Sequence, residues 1–183
     1  MPRATLIRPL AIAALSICLV VVVLGAYVRL SAAGLSCPDW PGCYGHISPA
    51  GASPADTGIE VGKAWKEMIH RYLAATLGAL LVLIAALTLQ KKSPRLISPV
   101  YAWGLVGLVV TQGIFGMLTV TRQLDPAIVT THLLFGLTTL SLLWWLVLTI
   151  SGRRADAWRG STPFVGSSLP RTRQIALLGL FAL

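Results

Sequence analysis

The sequence is short of charged residues, and above all of acidic ones. Only 11% of its 183 residues are charged, and six Asp and Glu stand against fifteen Lys and Arg, whereas soluble domains carry about 25% charged residues. Histidine is scarce as well, with three in the chain. So few imidazoles and carboxylates disfavour a zinc site, which needs three or four protein ligands. With 55% hydrophobic residues, too little polar surface remains for a water-soluble domain.

Four long uncharged stretches account for the missing charge. They cover residues 10–28, 72–90, 96–121 and 126–152. Each is long enough to cross a bilayer, since about 20 apolar residues span its hydrocarbon core. The sequence therefore predicts an all-α, polytopic membrane protein built on a four-helix transmembrane bundle.

The predicted organisation is a half-domain over residues 1–152, followed by short segments. Its four helices and its long outer loop are expected at about 10–30, 63–90, 97–118 and 126–150, with the loop at 31–62. A loop of that length is often functional. After the bundle we predict a cytoplasmic loop at 153–173 and, at 174–183, the start of a truncated fifth helix.

The net charge of +9 indicates topology and not a nucleic-acid partner. Ten cations fall on one side of alternating spans, in the segments 1–9, 91–95 and 153–173. The five on the other side are offset by carboxylates. Since Lys and Arg accumulate in cytoplasmic loops, we predict a cytoplasmic N-terminus and an outer 31–62 loop.

The first apolar run is too long for the core of a cleaved signal peptide, which usually has 7–15 residues. A retained first helix is therefore favoured over cleavage after residues 31–33. The few residues before Leu10 leave no room for a mitochondrial transit peptide. The expected location is a bacterial plasma (inner) membrane.

Two histidines lie within the predicted spans, where ionisable residues are costly and often functional. His70 follows Lys63 by seven residues and His132 follows Pro126 by six, which places both roughly 9–10 Å below the outer surface at 1.5 Å per residue. Helix bundles bind cofactors between facing side chains, and histidine is a common axial ligand of haem iron. The alternative is that each histidine only joins neighbouring helices by hydrogen bonds.

Charged residues surround His70. Glu67 lies three positions earlier on the same helix face, where it is either an acid or base near a cofactor or an ordinary carboxylate at a helix N-terminus. Arg71 follows His70 directly and is a candidate for cofactor binding. Arg29, at the outer end of the first helix, either pairs with a haem propionate or extends to lipid headgroups.

The cysteines divide into a spaced pair and a lone residue. Cys37 and Cys43 flank two prolines and a glycine in the outer loop; they form either a structural disulfide or a labile one that exchanges electrons with a thiol partner. Cys18 lies in the middle of the first span and is expected to pack as a small apolar residue. His46, in the outer loop, is expected to be solvated.

Four segments together resemble the haem A synthase family. They are GAYVRLSAAGLSCPDWPGC at 25–43, EMIHR at 67–71, QGIFGMLTV at 112–120 and LDPAIVTTH at 124–132. Each is weak alone, but their order and their placement in the predicted topology make the resemblance specific from 25 to 136.

The resemblance implies an eight-helix enzyme made of two similar halves, of which this chain is the amino-terminal one. Such enzymes oxidise the C8 methyl of haem O to the formyl of haem A by successive hydroxylation, for cytochrome oxidase assembly. Carried over, His70 and His132 become the axial ligands of haem O, Glu67 the essential carboxylate, and Cys37–Cys43 the outer-loop disulfide. A haem b is implied in the other half, without which this half is expected to be inactive.

The partners implied are haem O, haem O synthase and the lipid bilayer. The sequence identifies neither the electron acceptor nor the oligomeric state, and a homo-oligomer is one alternative. A b-type cytochrome that only transfers electrons is the competing interpretation, and it needs the histidine pair but neither Glu67 nor the cysteines. A haem-free assembly subunit is a second alternative.

Overall fold

The structure is a computed structural model that describes residues 4–51, 60–89 and 97–159. The described residues form four α-helices, which are, in order along the chain, α1 (Ala4–Leu30), α2 (Val61–Thr88), α3 (Pro99–Thr121) and α4 (Pro126–Arg159). One short 3-10 helix, Pro49–Gly51, lies between α1 and α2. Each α-helix contains a stretch long and apolar enough to cross a membrane. The predicted all-helical fold with four spans is therefore confirmed.

The first and last helices extend beyond the ranges predicted for them. α1 begins at Ala4 and contains Pro9, so it starts before the first uncharged run. α4 continues to Arg159, past the point where a loop was predicted. A helix does not have to end where it leaves the membrane, and Ala155 and Ala157 favour its continuation. The predicted fifth helix lies outside the described residues.

The four helices form a closed ring. α1 packs against α2 and α4, and α3 packs against the same two helices. α2 and α4 consequently lie diagonally across the bundle from each other. The end of the bundle at which α1 ends and α2 begins is called the loop end here.

Two separate apolar clusters hold the bundle together. The larger cluster fills the half away from the loop end, and its most buried members include Ala14, Leu81, Leu105 and Leu143. The smaller cluster lies at the loop end and consists of Cys37, Cys43, Ala64 and Met68, with Tyr44 packed against it. Between the two clusters lies a layer of polar side chains.

The N-terminus of α4 is capped as the sequence predicts. Asp125 Oδ1 accepts hydrogen bonds from the backbone N–H groups of Ala127 at 2.9 Å and Ile128 at 3.4 Å. Pro126 occupies the first helical position, where its missing N–H removes no bond. This cap fixes where α4 starts and therefore the depth of His132.

Replacing Asp125 by alanine should destabilise the bundle by about 1 kcal/mol, the usual cost of losing such a cap. Asp125→Asn keeps an acceptor oxygen and should stay within a few tenths of a kcal/mol of the wild type. Equilibrium unfolding in detergent micelles measures both values. Equal losses for the two variants would contradict the capping role.

Candidate functional site

The loop end is closed by a compact segment, residues 37–46, called the disulfide loop here. The Sγ atoms of Cys37 and Cys43 lie 2.01 Å apart, at the distance of a disulfide bond. Cys43 and His46 exchange two backbone hydrogen bonds of 2.9 and 3.1 Å around Tyr44 and Gly45, whose φ angles are +54° and +76°. Two positive φ values define the type I′ turn, in which glycine is favoured at the second position.

Asp39 organises this turn. Its carboxylate accepts hydrogen bonds from the backbone N–H of Tyr44 at 2.6 Å and of Gly45 at 2.8 Å. Burial acts to raise the pKa of Asp39, but these hydrogen bonds and the nearby Arg71 guanidinium outweigh it and hold the pKa below its usual value. The sequence analysis missed this role, although an Asp placed before a Tyr-Gly pair is typical of a turn.

Arg71 fastens the disulfide loop to α2. Its Nη1 donates to the carbonyl oxygens of Asp39 at 2.8 Å and Gly42 at 2.6 Å. Its Nη2 donates to Oε1 of Glu67, with which it forms an ion pair. The guanidinium therefore lies between the loop and the carboxylate.

Glu67 is bound from two sides. Its Oε2 accepts a hydrogen bond of 3.0 Å from the backbone N–H of Cys37, while its Oε1 faces Arg71. Only 4% of the residue is exposed. A carboxylate oxygen has two lone pairs, so each oxygen keeps an acceptor position beyond the contact described. Sequence spacing placed Glu67 near His70 but did not reveal these two partners.

His70 and His132 face the interior from the two diagonal helices, α2 and α4. Each has a buried Nδ1 without a hydrogen-bond partner among the described residues. Buried polar atoms are normally paired. Two unpaired imidazole nitrogens in one layer are suited to binding a metal or a polar ligand.

Each of these imidazoles lies against a glycine of a neighbouring helix. A Cβ on Gly25 of α1 would lie 2.9 Å from His70 Cε1, and one on Gly116 of α3 would lie 3.6 Å from His132 Cε1. Each glycine is five residues from the loop end of its helix. Because each imidazole contacts a glycine at the same distance from the loop end, the two imidazoles lie at the same depth. This is so although His70 is nine residues into α2 and His132 is six residues into α4.

A third polar side chain, missed by the sequence analysis, lies next to the histidines. Gln112 of α3 has a buried Oε1 with no hydrogen-bond partner among the described residues. Its Nε2 is 3.2 Å from the position of a Cβ on Gly136 of α4. An amide in the middle of an apolar span was the available signal, since such residues commonly mark helix contacts or sites.

The remaining candidates lie outside this layer. Arg29 is exposed near the end of α1, and His46 is exposed in the disulfide loop. Cys18 is 2% exposed and packs in the larger apolar cluster, which confirms its expected packing role. The structure thus places His70 and His132 at matched depth, and links Glu67 and Arg71 to the cysteine pair.

The donor set fits a haem better than a bare metal ion. No group of three or more His, Cys, Asp or Glu side chains that could hold a metal ion occurs in the described part of the chain. Haem iron needs only two axial ligands from the protein. Two imidazoles at matched depth, each with an unpaired Nδ1, would meet that need.

Comparison with known proteins finds a family model and named relatives that match this chain. Residues 8–183 match the family model COX15-CtaA, described as cytochrome oxidase assembly protein. A "Heme A synthase" of Shewanella oneidensis is 42% identical over 174 residues, which cover 90% of this chain and 50% of the relative. No solved structure matches the chain.

Two more distant relatives carry the same name. The "Heme A synthase" of Exiguobacterium sibiricum is 28% identical over 79% of this chain and 46% of its own length. That of Oceanobacillus iheyensis is 33% identical over 63% of this chain and 35% of its own length. The chain therefore spans at most about half the length of the relatives that it matches.

Gly25→Ala should displace the His70 imidazole, because the added methyl would come within 2.9 Å of it. Overpacking of this kind costs about 1–3 kcal/mol, so added haem should bind roughly tenfold more weakly. Absorbance titration in detergent measures the affinity. Gly104→Ala is the control, since nothing lies within 4 Å of its Cβ position; equal affinities for the two variants would contradict this role of Gly25.

The turn of the disulfide loop should open in acid. The pKa of Asp39 is lower in the folded protein than in the unfolded chain. The ionised carboxylate therefore stabilises the folded turn fully above the unfolded pKa of about 3.9. This stabilisation is lost as the pH falls through the folded pKa. The amide proton shifts of Tyr44 and Gly45 should follow this titration in NMR spectra. Asp39→Asn should abolish the transition; its persistence in that variant would assign it to another group.

Proposed function

The chain belongs to the haem A synthase family of cytochrome oxidase assembly proteins, and we propose that it holds the haem O site of an enzyme that oxidises the C8 methyl of haem O to a formyl group. The observation that carries this proposal is that His70 on α2 and His132 on α4 lie at matched depth, each with an unpaired buried Nδ1. In this proposal His70 and His132 are the axial ligands of the haem O iron.

The oxidation places a demand on the residues around the methyl group. Each hydroxylation adds the oxygen of one water to the methyl carbon and releases two electrons and two protons. A group that accepts a proton from water, or that stabilises positive charge at the carbon, lowers the barrier. Glu67 is the carboxylate available for both tasks, one helical turn from His70 on the same face of α2.

The contacts of Glu67 would serve this role. The hydrogen bond from Cys37 and the ion pair with Arg71 fix the carboxylate, and a fixed charge needs no rearrangement when the reaction begins. The Cys37–Cys43 disulfide is proposed to hold the Cys37 N–H in place. Arg71, and Arg29 nearer the surface, are proposed to balance the charge of the haem propionates.

The complete activity is proposed to need a longer protein. The chain covers half the length of the Shewanella oneidensis relative, and the released electrons need an acceptor. We propose that a haem b in a second half of the protein passes them on, so that this half alone binds substrate without turnover. Haem O synthase is the proposed source of the substrate.

The same proposal includes a place in the cell. A multi-pass protein with a cytoplasmic N-terminus in a bacterial plasma membrane places the disulfide loop outside, where disulfides persist. The distribution of Lys and Arg supports this orientation. Haem O would then lie in the outer half of the bilayer.

Pigment extraction tests the proposed reaction. A protein of full family length with this chain as its amino-terminal half should supply haem A to cells that lack the enzyme. Glu67→Gln should lower the yield about 100-fold or more, since acid–base groups contribute at least that much, while haem O stays bound. His70→Ala and His132→Ala should each weaken haem O binding, because one of the two imidazole ligands is lost, and should abolish product.

His46→Ala is the matched control, because that imidazole is exposed in the disulfide loop and should leave the yield unchanged. A Glu67→Gln protein that makes haem A at the normal rate would refute the role of the carboxylate. Extraction of haem B alone from the wild type would favour a b-type cytochrome.

A further inference from the structure

Gln112 reaches across the bundle interior. Its Nε2 lies 3.2 Å from the position of a Cβ on Gly136 of α4, and Val22 of α1 lies 3.8 Å from that position. Residues of three of the four helices therefore meet at Gly136. The Oε1 atom is buried and has no hydrogen-bond partner among the described residues.

The neighbouring hydroxyl groups do not serve as its partner. Thr111 donates to the carbonyl oxygen of Gly107, and Thr139 donates to that of Phe135. Each hydroxyl thus bonds within its own helix. An unpaired carbonyl oxygen inside a low-dielectric bundle is unfavourable, and a bound molecule with a hydroxyl group would pair it.

Gln112 lies on the inner side of the histidine pair. It precedes Gly116, which contacts His132, by four residues on α3, and Gly136 follows His132 by four residues on α4. Because α3 runs toward the loop end and α4 runs away from it, both spacings place the carboxamide one helical turn, about 6 Å, farther from the loop end than the imidazoles. A flat ligand held between the histidines would present one edge to it.

The polarity of the bundle decides which edge that is. Arg71, Lys63 and Lys66 lie toward the loop end, whereas the apolar cluster with Leu77, Leu81 and Leu105 lies on the other side of the layer. Ionised propionates therefore face the loop end. The opposite edge of haem O carries a hydroxyl group at the base of its isoprenoid chain, where haem B carries a vinyl group.

We infer that the Gln112 carboxamide hydrogen-bonds this hydroxyl group and selects haem O over haem B. The inference rests on the proposed function, because it takes haem O as the ligand of the histidine pair. The histidines bind the iron, which every haem shares. The substituent that distinguishes haem O from haem B lies at the edge opposite the propionates, so a residue at that edge is needed to recognise it. A site that hydrogen-bonds a hydroxyl group discriminates against ligands that lack the hydroxyl.

Titration with the two haems tests the inference. The wild-type protein in detergent, followed by Soret absorbance, should bind haem O roughly tenfold more tightly than haem B, the effect of one hydrogen bond. Gln112→Met has a similar volume and no amide, and it should weaken haem O binding roughly tenfold while leaving haem B binding unchanged. Thr111→Val is the matched control, since it removes a hydroxyl bonded only to its own helix, and should change neither affinity.

A second comparison uses the wild-type protein alone and so does not depend on the folding of a variant. Iron haematoporphyrin, with hydroxyethyl groups at the two vinyl positions, should bind more tightly than iron mesoporphyrin, with ethyl groups there. This isolates the hydroxyl from the isoprenoid chain. Equal affinities for the two porphyrins, or equal losses of haem O and haem B in Gln112→Met, would overturn the inference.

The failure of the proposed function would look different. If the proposed function is wrong, neither haem will bind to the wild type in a manner that depends on His70. That result would overturn the proposed function and the inference together. Binding that depends on His70 but does not discriminate between the haems would overturn only the role of Gln112.

Discussion

The absence of water from a bilayer core is the constraint on which this structure depends. Every polar group inside the bundle must find a partner within the protein or in a bound molecule. Hydroxyl groups along α3 and α4 meet the demand by bonding to their own helices, as Thr111 and Thr139 do. Among the described residues three side chains do not, since His70, His132 and Gln112 leave buried atoms unpaired within two helical turns of one another. That concentration supports the binding site that we propose.

The packing explains why these groups can remain unpaired. The larger apolar cluster fixes the helices on one side of the polar layer, and the smaller cluster under the disulfide loop fixes them on the other. Glu67 and Arg71 connect that loop to α2 directly beside His70. The layer is therefore held from both sides by contacts that do not use the imidazoles themselves.

The sequence predicted the four spans and the two intramembrane histidines, because hydrophobic length and the rarity of histidines within membrane spans are local signals. It could not predict what depends on contacts between helices. The approach of Gly25 to His70 and that of Gln112 to Gly136 follow from how the helices pack. Glu67 illustrates both limits. Its spacing in the sequence predicted that it lies near His70. Its hydrogen bond from Cys37 and its ion pair with Arg71 could not be predicted, because they depend on how the loop folds back onto α2.

The central claim is that His70 and His132 bind the same iron from opposite sides. Electron paramagnetic resonance of the ferric haem-loaded protein with ¹⁵N-labelled histidine tests it most directly. The account predicts a low-spin signal with hyperfine coupling to two imidazole nitrogens, one of which is lost in His70→Ala and the other in His132→Ala. Coupling that survives both substitutions would place the iron elsewhere and contradict the account.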